Sequence, residues 1–183
     1  NGARSKPWFG TQRANQASNV RIELTPPDGT LSAVGLADWR IKKVDIIPFG
    51  ESFSAGIGRR DVLIYVHGFN QNFETAVLDA ARLSDGLRFS GATMLFSWPS
   101  KNSIMNYIYD RESAMWSRDA LEEMLDQLVR DPSVGTIHIV AHSMGTMVTV
   151  EALRQLHDRR GASMGNRFGA VILASPDIDM DSF

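Results

Sequence analysis

The chain has 183 residues, 43% of them hydrophobic, with 19 basic and 21 acidic side chains and a formal charge of −2. That is enough for one domain around one core, and the near balance of charge excludes the basic field that nucleic acid would need. Zero cysteines exclude disulfides, a thiolate nucleophile and cysteine-held metal, and no apolar run approaches the roughly 18 to 20 residues that cross a bilayer.

Residues 1–19 are polar, lack a signal-peptide apolar core and do not begin with methionine. They read as an amino-terminal arm, with Trp8 and Phe9 as anchors, ahead of one domain over 20–183. A trimmed form of a longer protein is expected, and any targeting signal would lie upstream of Asn1. The compartment, cytoplasmic or exported and lipid-anchored, is therefore open. Val20 to Leu24 predicts a strand stopped by Pro26-Pro27-Asp28-Gly29, and Trp39 to Ile47 predicts a second before Pro48. Ser54 to Gly58 is a small-residue loop.

From Arg60 the pattern alternates strand and helix. Val62 to Val66 is apolar throughout, as a strand buried on both faces should be. Phe73, Val77, Ala80 and Leu87 recur at helical spacing, and Ala92 to Phe96 predicts the next strand. Leu121, Met124, Leu125, Leu128 and Val129 mark an amphipathic helix ending at Asp131-Pro132. Ile137 to Ala141 predicts a strand, Met144 to Leu156 a helix, and Phe168 to Ala174 a fourth strand. Strands separated by helices predict a mostly parallel, twisted sheet with helices on both faces. Ligands bind such sheets beyond the carboxyl ends of their strands.

Those ends carry the polar and special-backbone residues. His67-Gly68-Phe69-Asn70 follows the first of the four strands, Ser97-Trp98-Pro99-Ser100 the second, Ser143 the third and Ser175-Pro176-Asp177-Ile178-Asp179 the fourth. Ala141-His142-Ser143-Met144-Gly145 is a relaxed G-x-S-x-G, a serine on a sharp strand-to-helix turn flanked by small residues. Such a serine needs a base, and two donors for the oxyanion of its intermediate. The donors predicted here are the backbone N–H groups of Met144 and Phe69, with Gly68 permitting close approach and His67 in a supporting place. Asp177 is the preferred triad acid and Asp179 its alternative. His142 is expected to project away from the serine, while His138 and His157 read as structural. Trp98, Tyr107 and Tyr109 could line an acyl pocket or simply pack. Asp110-Arg111-Glu112 reads as a solvated cluster or helix-start charge pair. No histidine after Ser143 is placed to act as base, so the base is expected beyond residue 183.

These segments, with Leu95-Phe96-Ser97-Trp98-Pro99-Ser100, Tyr109-Asp110-Arg111-Glu112-Ser113 and the amino-terminal Phe9-Gly10-Thr11-Gln12-Arg13, resemble in order and wording a bacterial α/β-hydrolase family. The family is known as domain of unknown function 900 and described as esterase- or lipase-like. The resemblance implies the α/β-hydrolase fold with Ser143 as nucleophile, in a form lacking the last strands. It implies a serine hydrolase acting on a carboxylic ester or related acyl substrate, small or lipid-like, with no metal or organic cofactor. An acyltransferase with the same nucleophile and a non-catalytic binding module on the same fold are the alternatives. The 183 residues alone are expected to be inactive for want of the histidine, and Phe168 to Ala174 is expected to form an exposed edge. Oligomeric state is not legible.

Overall fold

A computed structural model describes residues 19–25, 40–47, 59–101 and 104–177. Residues 1–18, 26–39, 48–58, 102–103 and 178–183 lie outside the described residues, and with them the expected Pro26–Gly29 turn, the Ser54–Gly58 loop and Asp179. Strand β1 (Asn19–Thr25) pairs antiparallel with β2 (Arg40–Ile47), with Asn19 opposite Ile47 and an irregularity between Glu23 and Leu24. The main sheet is built from β3 (Arg60–Val66), β4 (Ala92–Phe96), β5 (Val134–His142) and β6 (Phe168–Ala174). Its order is β4-β3-β5-β6, and every described pair is parallel. Helices α1 (Phe73–Gly86), α2 (Tyr107–Arg130) and α3 (Met144–Arg160) connect the strands.

The continuous apolar run of β3 is explained by two cores. Val62, Ile64 and Val66 enter one with Leu121, Leu125 and Leu128 of α2 and Val148, Ala152 and Leu156 of α3. Leu63 and Tyr65 enter the other with Ala80 of α1 and Val140. Successive strand residues point to opposite faces, so a strand covered on both sides loses its polar alternation. Each fully buried aliphatic side chain contributes about 1.5–3 kcal/mol of transfer free energy. Thus α1 covers one face and α2 with α3 the other. Right-handed crossovers give this arrangement when the chain moves one way from β3 to β4 and the opposite way from β5 to β6.

The reversal creates a topological switch point between β3 and β5, where open α/β sheets form their binding crevice. The loop after β3 and the turn after β5 border it. Among the described residues β4 and β6 are the edge strands, and Val171 and Ile172 of β6 are exposed.

Helix α2 departs most from the sequence expectation. Its pattern is legible from Leu121, yet the helix begins at Tyr107. The first turns carry Ile108 and Trp116 outward into solvent, which obscures a single apolar face.

Candidate active site

Ser143 joins β5 to α3 with φ 49° and ψ −124°, a conformation that costs a non-glycine residue of order 1–3 kcal/mol. Its side chain makes no capping hydrogen bond to α3, so capping does not explain the serine. What holds the turn is its backbone. Ser143 N–H donates to Ala174 O at 2.9 Å, while Ser143 O accepts from Thr146 N–H at 2.9 Å and from Thr146 Oγ1 at 2.6 Å. Gly145 lets the first turn of α3 sit against the end of β3. A Cβ there would overlap the His67 carbonyl oxygen and come within 2.8 Å of Val66 O. Ala141, where the stricter motif has glycine, is fully buried.

The loop after β3 closes on the same turn. A Cβ on Gly68 would meet His142 Nδ1 at 2.7 Å and both His142 O and Ser143 Cβ at 3.0 Å. The imidazole of His142 therefore borders the same glycine as Ser143 Cβ. Gly68 N–H donates to Gln71 Oε1 at 3.3 Å, and Gln71 is anchored to Asp79 Oδ2 at 2.6 Å. Asn70 has φ 58° and Asn72 caps α1 by accepting from Thr75 N–H at 2.9 Å. Among the described residues the backbone N–H groups of Phe69 and Met144 have no protein acceptor.

His67 is fully buried and pinned. Its ring stacks on Trp98 with centroids 4.8 Å apart and planes at 9°. Trp98 N–H donates to His67 Nε2 at 3.1 Å, Trp98 Nε1–H donates to His67 O at 3.0 Å, and Nδ1 lies 2.9 Å from Gly68 O. One neutral tautomer satisfies all three, with the proton on Nδ1 donating to Gly68 O and Nε2 accepting. The 3.2 Å separation of Nε2 from Trp98 O is then a contact between two acceptors and not a bond. Burial holds the imidazole below the usual histidine pKa, outweighing its hydrogen bonds to Gly68 and Trp98 and the field of Asp110. His67 locks two strand-end loops together and has no lone pair left for Ser143.

Asp110 lies in the first turn of α2, as the helix-start alternative has it, but it is not solvated. It is fully buried and accepts from Ser100 Oγ and from Lys101 N–H, so it ties the β4 exit to the start of α2 rather than facing solvent. Trp98 is core. Tyr109 is exposed under the Lys101 ammonium, 3.8 Å from its ring centre.

Asp177 reaches the elbow through its backbone, since its N–H lies 3.4 Å from Ser143 O and 3.3 Å from Thr146 Oγ1. Its Oδ2 accepts from the Tyr107 hydroxyl at 2.7 Å, and the Tyr107 ring meets Phe69 edge-on at 5.2 Å. Thr146 and Tyr107 are the residues that sequence reasoning underrated. Thr146 carried a weak signal, a hydroxyl three residues after the elbow serine. Tyr107 carried none that pointed to Asp177. Of the other histidines, His138 accepts from Ala170 N–H within the sheet at 3.1 Å and His157 is exposed near the end of α3. Among the described residues no side chain hydrogen-bonds Ser143 Oγ, no group of three or more His, Asp or Glu could hold a metal, and no helix is long and apolar enough to cross a membrane.

A strained serine between a parallel strand and a helix, at the switch point and against a glycine loop, defines the α/β-hydrolase architecture. The family profile described as Alpha/beta hydrolase of unknown function (DUF900) matches residues 53–183, and the chain belongs to that family. It is also 25% identical over 123 residues to the uncharacterized protein alr1448 of Nostoc sp. (strain PCC 7120). The match covers 53% of this chain and 32% of the Nostoc protein, so the chain spans about a third of that relative's length. No solved structure matches the chain significantly.

Proposed function

We propose that the protein is a serine hydrolase of carboxylic esters, with Ser143 as nucleophile. The observation that carries the reading is the Ser143 backbone, strained at φ 49° with no side-chain cap, beside a loop whose Phe69 N–H has no acceptor among the described residues. Ser143 Oγ attacks the ester carbonyl carbon as a base takes its proton. The Phe69 and Met144 N–H groups receive the oxyanion, a contribution of about 3–4 kcal/mol for a single donor in a well-studied protease. Collapse breaks the bond to the alcohol, which leaves with the proton, and water then cleaves the acyl-enzyme by the same route. Asp177, with Oδ2 held by Tyr107, orients the basic histidine through Oδ1. His67 is fully engaged, His138 lies within the sheet, and His157 lies about 20 Å along α3 at ~1.5 Å per residue. His142 borders Gly68 beside the serine, but among the described residues its ring makes no hydrogen bond to Ser143 Oγ, and the base is assigned to a histidine outside these four. An acyltransferase would use the same acyl-enzyme with an alcohol or amine in place of water.

Fluorophosphonate labelling of the full-length protein, beside Ser143→Ala, tests this. Labelling that Ser143→Ala abolishes supports the hydrolase. A folded protein that does not label is a ligand-binding module on the same fold.

A further inference from the structure

One groove lies along α2 and reaches Met147 of α3. It is an open groove of about 510 Å³, within the volume range of small-molecule sites. Its apolar walls are Tyr107, Ile108, Met115, Trp116 and Met147. Two of these connect it to the reacting groups. Tyr107 is the residue that holds Asp177, and Met147 lies one helical turn beyond Ser143 on α3.

The remaining lining decides what kind of ligand fits. Arg111 and Arg118 are matched by Glu112 and Asp119, with Arg118 Nε 3.1 Å from Asp119 Oδ1. Two positive and two negative side chains leave no net charge to attract an ionic group. Selection falls to the apolar walls, and these are unusually open to solvent: Trp116 is 78% exposed and Ile108 74%. On a helix whose later turns bury Leu121, Leu125 and Leu128, such exposure costs hydration free energy unless a ligand covers it.

We propose that this groove is the acyl-chain seat of the enzyme and takes an uncharged, linear hydrocarbon chain of medium length from an ester substrate. The assignment rests on the hydrolase reading and extends it to a substrate class. The chain runs from the carbonyl at Ser143 past Met147 and Tyr107 toward Ile108 and Trp116. Covering each methylene raises kcat/KM by about fourfold, the factor equivalent to burying one CH2, until the groove is filled.

The test uses the full-length protein and has two readouts. With p-nitrophenyl esters from acetate to decanoate, kcat/KM rises with chain length, and Ile108→Glu loses at least tenfold more on decanoate than on acetate. Independently of turnover, 2-dodecanone, a neutral mimic that cannot be hydrolysed, changes the fluorescence of Trp116. The change is absent in Trp116→Phe and weakened in Ile108→Glu. A protein that labels with fluorophosphonate yet shows neither chain-length dependence nor a ketone response overturns the groove, leaving it to another segment of the protein or a second copy. A protein that binds the ketone but never labels keeps the groove and loses the hydrolase.

Discussion

Tyr107 and Asp177, 70 residues apart, are joined by a 2.7 Å hydrogen bond in which the phenol donates to Oδ2. With its ring edge-on to Phe69, Tyr107 braces the loop after β3 and the loop after β6 from one place on α2. Removing only the hydroxyl, in Tyr107→Phe, should slow fluorophosphonate labelling of Ser143 by about two- to tenfold, the range for one net hydrogen bond. The ring stays, so thermal stability should move little. An unchanged labelling rate would show that Asp177 needs no such brace.

The same bond sets a titration. Asp177 raises the Tyr107 pKa from 10.0, chiefly by accepting its hydrogen bond, and burial raises that of Tyr65. A raised pKa means that the fold favours the protonated phenol. The bond therefore contributes fully below pH 10 and is lost as pH climbs through the raised value. Ultraviolet titration should show Tyr65 and Tyr107 ionising late, and Asp177→Asn should return Tyr107 toward 10.

Gly68 has no room for a side chain. In Gly68→Ala the new methyl would press on the His142 carbonyl oxygen and on Ser143 Cβ, both at 3.0 Å, and neither can swing away. The loop must retreat from the elbow. A stability loss of about 1–3 kcal/mol is expected from such overpacking, with labelling of Ser143 reduced at least tenfold. Chemical denaturation and labelling on the same preparation separate the two effects, and normal labelling would refute the close approach.

His67 should make the protein acid-sensitive. Its pKa is lowered from 6.5 by burial, so the unfolded chain binds a proton that the fold refuses. Stability is complete above about pH 6.5 and falls as pH drops below it. His67→Gln, which cannot take up a proton, should flatten that part of the profile. It should also cost about 1–3 kcal/mol at neutral pH, because a buried partner of Trp98 N–H is disturbed. Urea denaturation midpoints between pH 5 and 8 give the answer.

Asp126 is the hub of the contact between α2 and α3. It is paired with Arg130 at 2.8 Å, with Arg159 at 3.3 Å and with Arg160. The hydrogen bond from Arg160 is the main reason that its carboxyl titrates below 3.8. For a lowered carboxyl pKa the stabilisation is present above about pH 3.8 and disappears as pH falls through the folded value. Arg130 and Arg159 are half-exposed, so water screens much of the attraction. Asp126→Asn should accordingly cost only about 1–2 kcal/mol at pH 7, and added salt should shrink the difference.

Local patterns carried most of the fold. Ala92–Phe96 and Phe168–Ala174 have the bounds that their apolar runs predicted, and β5 only extends its run outward to Val134 and His142. Ser143 was legible because an elbow is a local event, a serine between small residues where a buried strand meets a helix. The early turns of α2 were not, since an outward row of Ile108 and Trp116 breaks the one-face pattern. Asp110 was misread for a related reason: charge in sequence looks solvated, and only Ser100 and Lys101 folding over it make burial tolerable.

The sequence by itself determined the order of strands and helices, the buried strand segments and the serine turn, because these follow from hydrophobic period and backbone sterics over a few residues. The tertiary structure alone decided that β3 and β5 are neighbours with their chains leaving in opposite directions, and that His67 is spent on Trp98. It also decided that Tyr107 reaches Asp177. Those are pairings between residues tens of positions apart. They are fixed by packing against a shared sheet, and no local pattern encodes which distant partner will lie within 3 Å.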